Sequence, residues 1–202
     1  MKNKKHILIF IDWYLPGYKA GGPIRSCANL VARLKPFYDF SIVTRDTDFG
    51  EKEPYQNIKS NEWLEVEHGV RAYYISTDQM NGATVKKLMK GNYDVLYLNS
   101  LFSYFFTIIP LAFNKKIPHV VVAPRGMLGQ GALSIKPFKK QLFLKTSRLM
   151  RLYSDVTWQA STELESEEIK NVFGKNAKVI NALNLPPFKK LTYAPKIKVQ
   201  NA

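Results

Sequence analysis

Apolar residues along the chain fall into short runs separated by stretches of mixed pattern. Six of these runs have the length and the β-branched or aromatic content of strands: HILIFID (6–12), FSIVTR (40–45), VLYLN (95–99), HVVVAP (119–124), VTWQA (156–160) and KVIN (178–181). Several are apolar at successive rather than alternate positions, as strands buried on both faces are. Helical patterns lie between most of them. Ile24, Cys27, Leu30, Val31 and Leu34 recur at the spacing of an amphipathic helix, and Val85, Leu88 and Met89 repeat it more briefly. Strands alternating with helices predict a parallel sheet covered on both sides, a doubly wound α/β domain.

Two segments depart from the alternation. In EWLEVEHGVRAYYIS two strand-like runs flank His68 and Gly69, which predicts a β-hairpin added to the parallel core. LFSYFFTIIPLAF (101–113) is shorter than the roughly 20 residues of a membrane span, carries Pro110, and reads as a buried helix. After KVIN comes ALNLPPFKKLTYAPKIKVQNA, with three prolines, scattered lysines and no sustained period. One domain over 1–183 and a linker or tail over 184–202 are therefore expected.

Composition narrows the setting. At 202 residues, 46% of them hydrophobic, the chain is long enough for one sizeable core. The apolar run after MKNKK is only about six residues long, too short for a signal peptide, and reads as a first strand. Cys27 is the single cysteine, so no internal disulfide forms, and a cytoplasmic setting is expected, with attachment to the inner membrane face as a further option. Thirty Lys and Arg against 16 Asp and Glu, a formal +14, favour anionic partners such as phosphate, an anionic membrane or nucleic acid. No nucleic-acid motif or RNP-like aromatic pattern accompanies the charge, so nucleic acid is not expected as a partner.

The segments that could carry chemistry follow strands. In IDWYLPGYKAGGPIRSCANL a strand gives way to a loop and then to a helix that starts at Gly21-Gly22-Pro23. Gly21 and Gly22 would let a ligand approach the backbone, and the helix N-terminus suits an anion; a plain turn explains the glycines equally well. The spacing is not that of a dinucleotide fingerprint. In VVVAPRGMLGQGAL, Arg125 precedes Gly126, Gly129 and Gly131, which fits either a guanidinium displayed on a flexible loop or a surface salt bridge. Asn99 and Ser100 end another strand at the same edge, as ligand contacts or helix caps. Asp12, at the end of the first strand, is placed either as a base beside a ligand or as a local pairing group.

Elsewhere the pattern is plainer. STELESEE (161–168) concentrates four carboxylates, but Thr162 and Glu165 have capping-box spacing, and acids in a first turn complement the helix dipole. KPFKKQLFLKTSRLMRLY (136–153) is a basic amphipathic helix, with Phe138, Leu142, Leu149 and Leu152 among six Lys and Arg. It is either a solvated face or a surface that rests on anionic lipid through Lys136, Lys139 and Lys140. His6, His68 and His119 are scattered and no metal-ligand spacing occurs, so neither a metal nor a cofactor is expected.

Taken in order, GGPIRSCANLVARL, DVLYLNSLFS, PHVVVAPRGMLGQGALSIKPFKK, DVTWQASTELESEEIK and KVINALNLP resemble the N-terminal half of a glycosyltransferase of the GT-B fold, family 4. The resemblance covers nearly the whole chain. It implies a Rossmann-like domain that binds a glycan or lipid-linked acceptor, facing a C-terminal domain that holds most of the nucleotide-sugar donor. Transfer in such enzymes is metal-independent and usually retaining, often in surface polysaccharide synthesis. Gly21 and Gly22 match the family's glycine loop near the donor diphosphate. PRGML resembles a common PHGML, so Arg125, followed by the matching Gly126, stands at a pocket-histidine position. DVLYLNSLF is similar to DVVHLHGLW, which puts Tyr97 and Asn99 at two more. These departures count against a histidine as the catalytic group and leave the catalytic residue unassigned, while Arg125 is still suited to hold a phosphate or a sugar hydroxyl. With the donor half missing, the 202-residue chain is expected to be inactive alone. A stand-alone sugar- or phosphate-binding module is the competing reading.

Overall fold

The computed structural model of the chain describes residues 4–187, so residues 188–202 of the expected linker lie outside the described residues. Among the described residues eight strands form one sheet: β1 (Lys5–Phe10), β2 (Tyr38–Arg45), β3 (Trp63–Glu67), β4 (Val70–Ile75), β5 (Val95–Leu98), β6 (His119–Val122), β7 (Thr157–Ala160) and β8 (Val179–Asn181). Their order is β3-β4-β2-β1-β5-β6-β7-β8, and every neighbouring pair is parallel except β3 with β4. Six α-helices connect them: α1 (Gly22–Leu34), α2 (Gly82–Leu88), α3 (Ile109–Phe113), α4 (Gln130–Ser134), α5 (Pro137–Leu149) and α6 (Glu163–Phe173). The fold is doubly wound α/β, and each of the six apolar runs contains a strand.

Handedness decides which helix covers which face. The chain moves from β1 to β2 in one direction and, after β4, crosses back over β1 to β5 and continues outward to β8. Right-handed crossovers therefore put α1 on one face and the later helices on the other. The core divides accordingly. Cys27 and Val31 of α1 pack on Ile9, Ile11, Phe40 and Ile42. Val85 and Leu88 of α2, Leu144 of α5 and Ile169 of α6 pack with Leu8, Phe10, Leu96 and Leu98. Leu8, Ile9 and Phe10 are all fully buried, so β1 is covered on both faces. Each such side chain contributes about 1.5–3 kcal/mol relative to an exposed one. Beyond β5 the α1 face lacks a helix among the described residues, and Ile180 on β8 is 58% exposed there. Coverage on both sides thus holds for the middle of the sheet only.

Of the two irregular segments, one matches its sequence reading and the other differs in detail. The expected hairpin is present as antiparallel β3 and β4, and β4 in addition pairs with β2 over six positions as a parallel strand. Buried Val70, Ala72, Tyr73, Tyr74 and Ile75, on both faces of β4, are the reason. The buried helix expected over 101–113 is a π-helical turn (Tyr104–Ile108) running into α3. Ser103 caps it through a hydrogen bond from the Phe106 N–H, and Pro110, lacking an N–H, falls in the first turn of α3. Within the described residues no helix is long and apolar enough to cross a membrane.

Two of the singled-out side chains are structural. His6 Nε2 lies 2.8 Å from the Ser41 hydroxyl, which also accepts from Arg71 Nε at 2.8 Å. Burial, then the Arg71 charge, lowers the pKa of His6, with Asp39 and Asp94 opposing in part. Cys27 is fully buried, and burial pushes its thiol up to about 12.

Candidate functional site

In an open parallel sheet the crevice forms where neighbouring connections leave in opposite directions, outside the carboxyl ends of the strands. Here that point is β1 with β5. Ile11, Asp12 and Trp13 leave β1 there, Asn99 and Ser100 leave β5, and the loop after β6 brings Met127. Lys19, Ala20 and Pro23, from the loop and first turn of α1, close the other side, with Phe49 across from them. Together they line a cleft of about 300 Å³.

The glycine loop is shaped from below. Asp48, 7% exposed, accepts hydrogen bonds from the N–H groups of Tyr18 (3.0 Å), Lys19 (3.3 Å) and Phe49 (2.7 Å). Burial opposes its ionisation, but the backbone donors outweigh burial and hold the carboxyl below the usual range. Gly17 has to be glycine, since a Cβ there would sit 2.2 Å from Tyr55 Oη and 3.0 Å from Asp48 Oδ1. Gly21 is the N-cap of α1 with φ 71°, a left-handed conformation that disfavours side chains. Gly22 has an ordinary φ, and a Cβ there would meet open space. Gly21 makes the turn, and neither glycine is among the residues that line the cleft, although Ala20 and Pro23 on either side of them in sequence are.

Beside the cleft, Arg125 ties three segments together. Its Nε donates to Asn99 Oδ1 at 2.5 Å, its Nη2 to the Tyr97 hydroxyl at 2.8 Å and its Nη1 to Asn184 Oδ1. Tyr97 donates in turn to Gln159 Oε1 at 2.6 Å, and burial pushes its phenol above the ordinary range. Arg125 is left-handed at φ 57°, followed by Gly126 at φ 74°. A non-glycine residue in that region persists only where the surroundings over-determine it. Glu165 supplies the constraint. Its carboxylate, 4% exposed, accepts the Gly126 N–H at 2.7 Å and both the N–H and hydroxyl of Ser161 at 2.7 Å. Thr162 Oγ1 accepts the Glu165 N–H at 3.1 Å, so half of the capping box forms, while the Glu165 side chain crosses to the loop after β6.

Two buried donors of the cleft have no partner among the described residues: Trp13 Nε1 and Asn99 Nδ2. Buried N–H groups of this kind are stabilised by an acceptor, which a ligand hydroxyl can provide. Trp13 is held edge-on to Phe49 at 5.0 Å, with the Arg45 guanidinium 5.4 Å from its ring. Asp12 accepts from Ser103 Oγ at 2.9 Å and lies 3.9 Å from Arg45 Nη2. Burial raises its pKa, and Ser103 and Arg45 offset part of the rise.

Of the sequence-predicted residues, Asp12 and Asn99 line the cleft, and Gly21 and Gly22 do not. Arg125, Tyr97 and Asn99 form one network, while the Gly126 N–H is engaged by Glu165. Sequence reasoning missed Trp13, Phe49, Asp48, Ser103 and the reach of Glu165. Asp48 and Phe49 follow β2 at the same edge, which was the available signal. The predicted linker also begins differently from a free tail: Asn29 Nδ2 donates to the Leu185 carbonyl at 2.8 Å and Arg33 to that of Pro186. Among the described residues no group of three or more His, Cys, Asp or Glu side chains could hold a metal ion.

If Glu165 positions the Arg125 loop, Glu165→Ala strands two backbone N–H groups and lowers stability by about 3 kcal/mol. Urea unfolding measures this, and a loss under about 0.5 kcal/mol, the size of an ordinary surface substitution, contradicts the assignment. Neither a protein-family model nor a curated protein matches the chain.

Proposed function

We propose that the chain is the acceptor-side domain of a GT-B glycosyltransferase of family 4, moving a sugar from a nucleotide sugar to a glycan or lipid-linked acceptor. The carrying observation is the switch-point cleft with two unpartnered buried donors, Trp13 Nε1 and Asn99 Nδ2, beside the Asp12 carboxylate. A sugar hydroxyl accepts from such donors, while an indole with a neighbouring phenyl edge suits the C–H face of a pyranose. Asp12, its pKa raised by burial, is the group placed to take a proton from an acceptor hydroxyl. Arg125 uses three of its five N–H donors on protein groups, leaving two for a phosphate or a hydroxyl. The N-terminus of α1, whose cap residue Gly21 has no side chain to satisfy it, faces the donor diphosphate, whose remaining contacts come from a second domain.

The test is transfer of labelled sugar from a panel of nucleotide sugars. Joined to a donor-binding GT-B half, the domain supports transfer, and Asn99→Ala lowers the rate on the order of 100-fold through misplacement of the acceptor. The 202-residue chain alone gives no turnover. Turnover by the chain alone, or transfer indifferent to Asn99→Ala, contradicts the reading.

A peripheral membrane contact is favoured by α5. Its Phe138, Leu142 and Leu149 are 78%, 52% and 85% exposed, so these three expected apolar positions face away from the core, on which Leu144 and the partly buried Leu152 pack. Lys136 and Lys139 are exposed beside it, whereas Lys140 donates to the Ala132 carbonyl and lies 5.4 Å from the Phe102 ring. Lys136 and Lys139, rather than all three lysines, then meet anionic lipid, each contributing about 1 kcal/mol. Replacing both by Gln weakens sedimentation with phosphatidylglycerol vesicles about 30-fold. Binding that does not depend on anionic lipid removes the idea.

A further inference from the structure

A second concavity, about 750 Å³, lies at the opposite edge of the sheet, where β6, β7 and β8 begin and where α5 and α6 end. Beneath it lies an aromatic cluster in which Trp158 and Tyr153 are buried and Phe173 is partly exposed. Trp158 and Phe173 stack at 4.4 Å, and Tyr153 lies 5.2 Å from Trp158, with its hydroxyl donated to the Leu101 carbonyl. Its rim is basic: Arg148, Arg151 and Lys178 line it, against one carboxylate, Asp155, which accepts from the Ser154 hydroxyl at 3.2 Å. The three cations enter none of the ion pairs formed among the described residues, which involve Lys19, Lys35, Arg45 and Lys59.

Local structure accounts for only one of these charges. Arg148 stands in the last turn of α5, where a cation complements the helix dipole. Arg151 does not. Leu152 N–H donates to the Ser147 carbonyl at 2.9 Å and Arg151 N–H to that of Arg148 at 3.1 Å, the paired closure that places Arg151 at the left-handed position after the helix. Its φ is 52°, a conformation glycine adopts without strain and arginine does not. Lys178 precedes β8 and belongs to no helix. An arginine where the backbone favours glycine and a lysine outside the ion pairs of the described residues, both on the rim of one cleft, are explained by a ligand that both cations hold.

We propose that this cleft binds the phosphate group of a phosphoester between Arg151 and Lys178, with the rest of the ligand against the partly exposed Phe173. The inference is independent of the switch-point cleft and of the acceptor reading. The phosphoester is either a soluble molecule or a phospholipid headgroup, and two probes separate these sources. The 202-residue chain is titrated with inorganic pyrophosphate near physiological salt, and is sedimented with phosphatidylcholine vesicles with and without phosphatidylglycerol. The variant is Arg151→Gly with Lys178→Gln; Lys87→Gln with Lys90→Gln removes the same charge elsewhere.

The expected result is at least about a tenfold loss of affinity in the cleft variant, and under about twofold in the control. Loss on pyrophosphate identifies a soluble ligand; loss on phosphatidylglycerol vesicles alone identifies a headgroup. Arg151→Gly alone relieves the left-handed strain, so its thermal midpoint stays at or above the parent's while its affinity still falls. The proposal is overturned if neither probe binds the parent chain, if cleft and control variants lose affinity alike, or if the cleft variant binds like the parent.

Discussion

The buried carboxylate of Glu165 is the interaction on which the ligand edge depends. It draws the loop after β6 and the loop after β7 together by accepting from Gly126 and Ser161. A buried charge is tolerated only when such donors replace water. With Gly126 fixed, Arg125 is held left-handed and its guanidinium is directed across the end of β5, onto Asn99 and Tyr97. Asn99 then has its oxygen committed to Arg125, which leaves its N–H groups for the cleft. The free donor at the centre of the candidate site follows from a carboxylate two strands away.

The second constraint is the position of β1. Lying between β2 and β5, it has to be apolar on both faces, and the reversal of winding at its edge opens a crevice. Among the described residues the same handedness leaves the outer half of the α1 face without a helix over Gln159 and Ile180. The edge where the cleft lies is thus buried in the middle of the sheet and more exposed toward β8, where Leu185 and Pro186 meet α1 through Asn29 and Arg33.

How much of this was legible in the sequence depends on the range of the interaction. Strands buried on both faces and the period of α1 are local signals, and they place Asp12, Asn99 and Arg125 at strand ends on one edge. What lies between those positions is not local. Asp12 meets Ser103 across 91 residues and Gly126 meets Glu165 across 39, and no spacing rule reports such pairs. Glu165 shows the limit well: capping-box spacing gave the Thr162 contact correctly, while the other end of the side chain served a different loop. In α5 the apolar period was real but did not identify the core-facing side, because a period alone does not say what lies opposite. Trp13 lay within the loop first singled out, yet its unpartnered indole N–H became visible only with Phe49 and Arg45 in place.

On the proposed reading, Trp13 and Asn99 present donors to a sugar at the switch point. The ¹H–¹⁵N spectrum tests it directly, because the three tryptophan indoles, of Trp13, Trp63 and Trp158, report separately. Titration with a panel of mono- and oligosaccharides should bring saturable shifts of the Trp13 indole and Asn99 side-chain amide resonances, with Trp63 and Trp158 unmoved. A panel that leaves Trp13 and Asn99 in place, or that shifts all three indoles alike, contradicts the account.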